Sequence, residues 1–151
     1  MRFVFDTSVL IDYLHDEEMA VNALFAAADK GRVFISLISF MELWLPRNRS
    51  DGEIRREIAA LQELCQRLGI RVVPCTPRSQ ERALTLLEHS HSPLGRNALP
   101  DSLIIATGMT RRAYLVTRDN RWIDVAWGVA RRGASLPIIR VISPEELVEE
   151  L

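Results

Sequence analysis

The sequence predicts an α/β fold, a three-layer sandwich in which a five-stranded parallel sheet is flanked by helices. Two observations lead there. Short apolar runs alternate with helical patterns from end to end, the order a parallel sheet with crossover helices requires. At 151 residues the chain is long enough to bury a real core, and it has no repeat, linker or low-complexity segment. Residues 1–151 are therefore read as a single domain.

The elements follow in order. Residues 2–5 form a short buried strand, and the spacing of Val9, Leu10, Tyr13 and Leu14 predicts a helix from Thr7 to Leu14 with Asp6 or Thr7 as N-cap. Residues 17–29 continue as an alanine-rich helix closed by Gly31. "RVFIS" at 32–36 is a second strand. "SFMELWL" at 39–45 reads as a short helix stopped by Pro46. In "GEIRREIAALQELCQRLG" at 52–69, Ile54, Ile58, Leu61, Cys65 and Leu68 line one face, and Gly69 ends the helix. "IRVVP" at 70–74 is a third strand, after which Thr76 caps a helix with Pro77 at its first position. "HSHSPLGRN" at 89–97 is a loop by composition, and a helix follows from Pro100 to Arg112. "AYLVT" at 113–117 and "PIIRVI" at 137–142 complete the strands. "SPEE" at 143–146 is a capping box that opens a terminal helix.

Composition narrows the function classes. The chain is 48% hydrophobic and 26% charged, which excludes a disordered protein. No apolar run approaches the ~18 residues of a membrane span, and the first residues lack the pattern of a signal peptide. The expectation is a cytoplasmic protein. Cys65 and Cys75 form no CxxC pair and read as buried thiols in a reducing compartment. A net charge of −1 gives no global attraction to nucleic acid or membrane, so a polyanion partner must be held locally. Eighteen of the 19 basic residues are arginine, which is compatible with phosphate recognition but equally with codon bias.

Four carboxylates stand out. Asp6 ends a strand and Asp119 follows another, at the sheet edge where ligands of such folds bind. Each also reads as a cap or turn residue. Glu42 is the only charged residue between Val33 and Pro46, a segment expected to be largely buried, and a lone carboxylate there is costly unless paired, bonded, protonated or coordinating. Asp101 shares a helical face with Ile104, Ile105 and Gly108 and therefore points inward; a helix N-terminus would also stabilise it. Together these acids would repel one another unless a cation neutralises them. Oxygen-rich sites of this kind suit Mg²⁺ or Mn²⁺, which activate water for attack on a phosphodiester.

On these motifs the chain resembles the PIN-domain family, specifically the VapC-type toxins of type II toxin–antitoxin pairs. "FVFDTSVLIDYL", Glu42 in "SFMELW", Asp101 in "LPDSLIIATG" and Asp119 in "YLVTRDNRW" occur in the family's order, and the resemblance spans essentially the whole chain. It implies a PIN-like sandwich and a Mg²⁺- or Mn²⁺-dependent endoribonuclease. Asp6, Glu42, Asp101 and Asp119 would be its acidic quartet, supported by the hydroxyls of Thr7, Ser8 and Thr117. It further implies an RNA substrate, a homodimer, and an antitoxin whose C-terminal segment covers the active groove. Arg47, Arg96, Arg118 and Arg121 flank the motifs as candidate phosphate contacts. The stretch from Trp122 to Pro137 is longer than the family usually carries there, and Asp124 within it reads either as a solvent-facing residue or as an added acid.

Other classes fit less well. A phosphatase with an aspartyl nucleophile would carry DxD at the first strand, where Ser8 stands instead. Zinc at His89 and His91 lacks further ligands at the right spacing. A non-catalytic PIN-like module predicts loss of the acids, all of which are present. A housekeeping PIN nuclease acting on precursor RNA without an antitoxin is the closest alternative. The RNA cut and its sequence are not legible, because groove shape and stacking decide them.

Overall fold

The structure is a computed structural model that describes residues 1–45, 48–89, 99–119 and 140–151. Five strands, β1 (Arg2–Phe5), β2 (Arg32–Ser36), β3 (Arg71–Val73), β4 (Tyr114–Val116) and β5 (Val141–Ile142), pair in the order β3-β2-β1-β4-β5. Every pairing is parallel. The helices are α1 (Thr7–Leu14), α2 (Glu18–Lys30), α3 (Leu37–Glu42), α4 (Asp51–Leu68), α5 (Pro77–His89), α6 (Leu99–Arg111) and α7 (Pro144–Glu150).

Side chains alternate across a strand, and the sheet accordingly divides two cores. Phe3, Phe5, Val33 and Ile35 pack on one face with Leu10, Leu24, Leu61 and Leu147 from α1, α2, α4 and α7. Val4, Phe34 and Val73 pack on the other with Leu86 of α5 and Ile104, Ile105 and Met109 of α6. Each fully buried side chain of this size contributes roughly 1.5–3 kcal/mol, so both helical layers are held to the sheet by burial.

Local signals end the helices where the residue types require. The Ser50 hydroxyl accepts from the Glu53 amide at the start of α4, and Gly69 closes that helix in the left-handed region at φ 66°. Thr76 Oγ1 accepts from the Ser79 amide, and Ser143 with Glu146 forms the capping box of α7.

Four expectations are corrected. α3 spans Leu37–Glu42 rather than 39–45 because Ser36 caps it earlier, its hydroxyl accepting from the Ile38 amide at 3.2 Å. The segment around Glu42 is apolar but not largely buried, since Leu37, Met41, Trp44 and Leu45 are all exposed. Of the strand expected at 137–142, β5 covers Val141–Ile142 and excludes Arg140, while 137–139 lie outside the described residues. His89, expected in the loop at 89–97, ends α5 instead; Pro46, residues 90–97 and the 122–137 stretch with Asp124 lie outside the described residues. Cys65 is buried, which pushes its thiol up to about 11, and Cys75 is half-buried; both are free. No helix among the described residues is long and apolar enough to cross a membrane.

Candidate active site

The chain leaves β1 for β2 and β3 on one side of it, then returns to β4 on the other. The strand order therefore reverses at β1, which puts the crevice beyond the carboxyl ends of β1 and β4. Asp6 directly follows β1, and Thr117, Arg118 and Asp119 directly follow β4.

Asp6 is both the N-cap of α1 and the centre of a hydroxyl cluster. Its Oδ1 accepts from the Thr7 amide at 2.7 Å. Its Oδ2 accepts from the Ser8 hydroxyl at 2.8 Å and the Thr117 hydroxyl at 2.7 Å. Only 5% of the residue is exposed. Burial raises its pKa against the pull of those hydrogen bonds, and the charge of Asp119 raises it further.

Glu42 reaches the same cluster from the last turn of α3. The Thr7 hydroxyl donates to its Oε1 at 2.7 Å. Burial raises the Glu42 pKa, the Thr7 bond opposes that, and the charge of Asp6 adds to it. One turn before, Ser39 buries a hydroxyl that has no partner among the described residues. The sequence reading passed over Ser39, which carries no signal beyond its place in an apolar run.

Asp119 is half-buried, and its amide donates to Thr117 Oγ1 at 3.0 Å. The same threonine hydroxyl thus orients Asp6 and fixes the backbone at Asp119. Asp101 is half-buried in the first turn of α6. The far end of α6 lies at the amino edge of the sheet, where Arg2 Nη1 donates to the Arg111 carbonyl at 3.0 Å. A helix of this length spans about 20 Å, and Ile38 of α3 packs into the same core as α6. Both facts carry the Asp101 end toward the carboxyl edge.

The structure thus brings Asp6, Glu42 and Asp119 into one electrostatically coupled group, held by Thr7, Ser8 and Thr117. Among the described residues no three acidic, histidine or cysteine side chains stand close enough to form a metal cage. Arg118 is occupied otherwise than expected. Its Nε donates to Asp12 at 2.8 Å, its Nη2 to Glu17 at 2.7 Å, and its Nη1 to Glu145. A guanidinium committed to three carboxylates is not presented to phosphate. Arg47, Arg96 and Arg121 lie outside the described residues. The Arg118 network was missed because Asp12, Glu17 and Glu145 lie 106, 101 and 27 residues from Arg118 and are brought to it only by the docking of α1, α2 and α7.

The fold and the strand-end carboxylates define a class. Residues 3–128 match the PIN domain family model, and the chain belongs to the PIN domain family. Among solved structures, the chain is similar to one in VapBC2 from Rickettsia felis bound to a promoter DNA fragment. The TM-score there is 0.69, with 18% identity over 95% of this chain and 98% of that one. It is also similar to one in DNA-bound VapBC from Salmonella typhimurium, with TM-score 0.66, 20% identity, and 95% and 98% of the two chains covered. A toxin–antitoxin complex from Klebsiella pneumoniae gives TM-score 0.60 and 24% identity, with 93% and 96% covered. At these identities the likeness is one of fold. No curated protein sequence matches the chain.

Proposed function

We propose that the chain is a metal-dependent endoribonuclease that hydrolyses RNA phosphodiester bonds, and the cytoplasmic toxin of a type II toxin–antitoxin pair. The observation that carries this reading is Asp6. It is a buried carboxylate coupled by charge to Glu42 and Asp119, and no cationic side chain among the described residues pairs with Asp6 or Glu42. Membership of the PIN family and likeness to chains from VapBC complexes support it.

The donor set fits a hard divalent cation. It is made of carboxylate and hydroxyl oxygens, and Mg²⁺ needs only one or two protein carboxylates, filling its shell with water and phosphate oxygens. A cage of three acids is therefore not required. Asp6, Glu42, Asp101 and Asp119 would hold Mg²⁺ or Mn²⁺, which when bound activates water and offsets charge on the leaving oxygen. The chain's own contribution is preorganisation. An ionised carboxylate has about four acceptor sites; Asp6 gives three of them to Thr7, Ser8 and Thr117, which lock its rotamer and leave a site for a further partner. The Thr7 hydroxyl holds Glu42 in the same way.

The toxin reading includes a homodimer and an antitoxin segment covering the groove near Glu42 and α4. The exposed Leu37, Met41, Trp44 and Leu45 supply apolar surface for such a segment, with Arg55 of α4 stacked 5.8 Å from the Trp44 ring centre. Purified protein should cut RNA with Mg²⁺ or Mn²⁺, stop with EDTA, and leave 5′-phosphate and 3′-hydroxyl ends. Cyclic 2′,3′-phosphate ends would refute metal-activated water. Full activity indifferent to the product of any adjacent small gene would favour the housekeeping nuclease.

A further inference from the structure

The edge of the sheet opposite the acids is lined with arginine. Arg82 of α5 lies close enough to Arg78 on the same helix and to Arg112, just past α6, for both charges to act on it. Arg82 Nη1 also donates to Thr110 Oγ1 at 3.0 Å, beside Arg111. Arg111 stands 4.9 Å over the Phe34 ring. The first residues of β1, β2 and β3 extend the group. Arg2 bonds the Arg111 carbonyl, Arg2 and Arg32 are register partners, and Arg71 is the partner of Phe34. By strand alternation Arg2, Arg32 and Arg71 share the face of Val4, Phe34 and Val73, which is the α5–α6 face.

None of these arginines forms an ion pair among the described residues; the cations that do are Lys30, Arg49, Arg118 and Arg140. Outside the described residues the only acid in the chain is Asp124. Two placements run against local stability. Arg78 and Arg82 sit in the first two turns of α5, a helix with no acid in its first turn, where the dipole disfavours cations. Arg112 adopts φ 50°, a left-handed backbone that favours glycine or asparagine. Arginines that crowd Arg82 and have no ion pair among the described residues, kept at such cost, indicate an anionic partner. A protein partner of acidic character would also need apolar anchors. Here Leu84 is two residues from Arg82, on another side of α5, and Val72 faces away from Arg71.

We propose that this arginine face binds the phosphodiester backbone of an RNA strand at a surface separate from the acidic site. The choice of RNA rests on the ribonuclease reading; the phosphate-binding surface does not. The test is fluorescence anisotropy of the full chain with a labelled mixed-sequence 20-nucleotide RNA in EDTA, across 50–200 mM salt. The Arg78→Gln/Arg82→Gln/Arg112→Gln protein should lose about 2 from the slope of log affinity against log salt, and roughly a hundredfold in affinity near 0.1 M salt. The corresponding triple lysine variant should stay within a few-fold of wild type, and the glutamine variant should melt no lower than wild type. Arg78→Gln alone carries the same test at about a third of the slope change. Wild-type affinity and slope in these glutamine variants overturns the proposal. So does tighter binding of polyglutamate, anionic vesicles or duplex DNA than of RNA. If wild-type protein with Mg²⁺ cuts no RNA yet binds it with this arginine and salt dependence, the surface stands and the ribonuclease reading falls.

Discussion

Asp6 takes three hydrogen bonds, yet burial still raises its pKa. Asparagine caps a helix about as well as aspartate. In Asp6→Asn the amide oxygen keeps the Thr7 bond, and the Ser8 and Thr117 hydroxyls can rotate to accept from the new NH₂. The metal-free variant should therefore melt at or above the wild-type temperature at pH 7, by roughly 2–4 °C for each kcal/mol of relieved desolvation. The sign with pH follows from linkage. A folded-state pKa raised above the ordinary aspartate value means the native carboxyl holds its proton more tightly than the unfolded one. The Asp6 contribution to stability is thus present at low pH and lost as pH rises through the folded value. The gap between variant and wild type should be widest at neutral pH and close toward pH 4. Thermal midpoints across that range check both statements, and a variant several degrees less stable at pH 7 would return Asp6 to a purely structural role.

Among the elements, the Arg118 network joins the end of β4 to α1, α2 and α7. The Arg118 side chain is 32% exposed, so each pair is partly screened. Arg118→Met should still cost roughly 1–2 kcal/mol, because three carboxylates lose their shared cation and repel. Lysine should rescue little, since one ammonium cannot reproduce a guanidinium fork that meets three separate partners. Urea unfolding at low and high salt measures this; an effect that grows with salt would contradict the electrostatic account. Glycines supply a second contrast. A Cβ at Gly31 would stand 2.6 Å from the Met1 carbonyl oxygen and 2.9 Å from the Phe3 ring. A Cβ at Gly69 meets nothing within 4 Å but suffers the left-handed backbone. Gly69→Ala should cost about 1 kcal/mol, and Gly31→Ala more, up to about 3, because the backbone leading into β1 and the buried Phe3 ring cannot yield cheaply. Equal costs in urea unfolding would show that the β1 end gives way.

At the scale of the whole molecule, the sheet separates charge. Carboxylates gather beyond its carboxyl end, and arginines without an ion pair among the described residues gather at its amino end. A net charge of −1 conceals this separation. If the carboxyl edge holds a divalent cation, Mg²⁺ should raise the wild-type thermal midpoint, by about 2.7 kcal/mol at a hundredfold excess over the dissociation constant. Asp6→Asn should lose most of that gain. An equal shift in both proteins would place the cation elsewhere.

The residues by themselves determined the architecture and where most of its elements begin, with α3 an exception. Alternating apolar runs, Ser and Thr caps, Gly69 and the capping box at Ser143 are local signals, written in neighbouring residues. They also marked Asp6 and Asp119 as strand-end acids, because a parallel sheet puts strand ends on one edge. What only the tertiary structure decided were relations between distant residues: Thr117 bonding Asp6, Thr7 holding Glu42, Arg118 turned from phosphate toward Asp12, Glu17 and Glu145, and the arginines of β1, β2, α5 and α6 meeting at one edge. It also decided that the apolar segment around Glu42 keeps Met41 and Trp44 in solvent. The physical reason is range. Propensity and capping act within a few residues of chain, whereas hydrogen bonds, desolvation and charge repulsion act through space, between side chains that only the packed sheet and helices bring together.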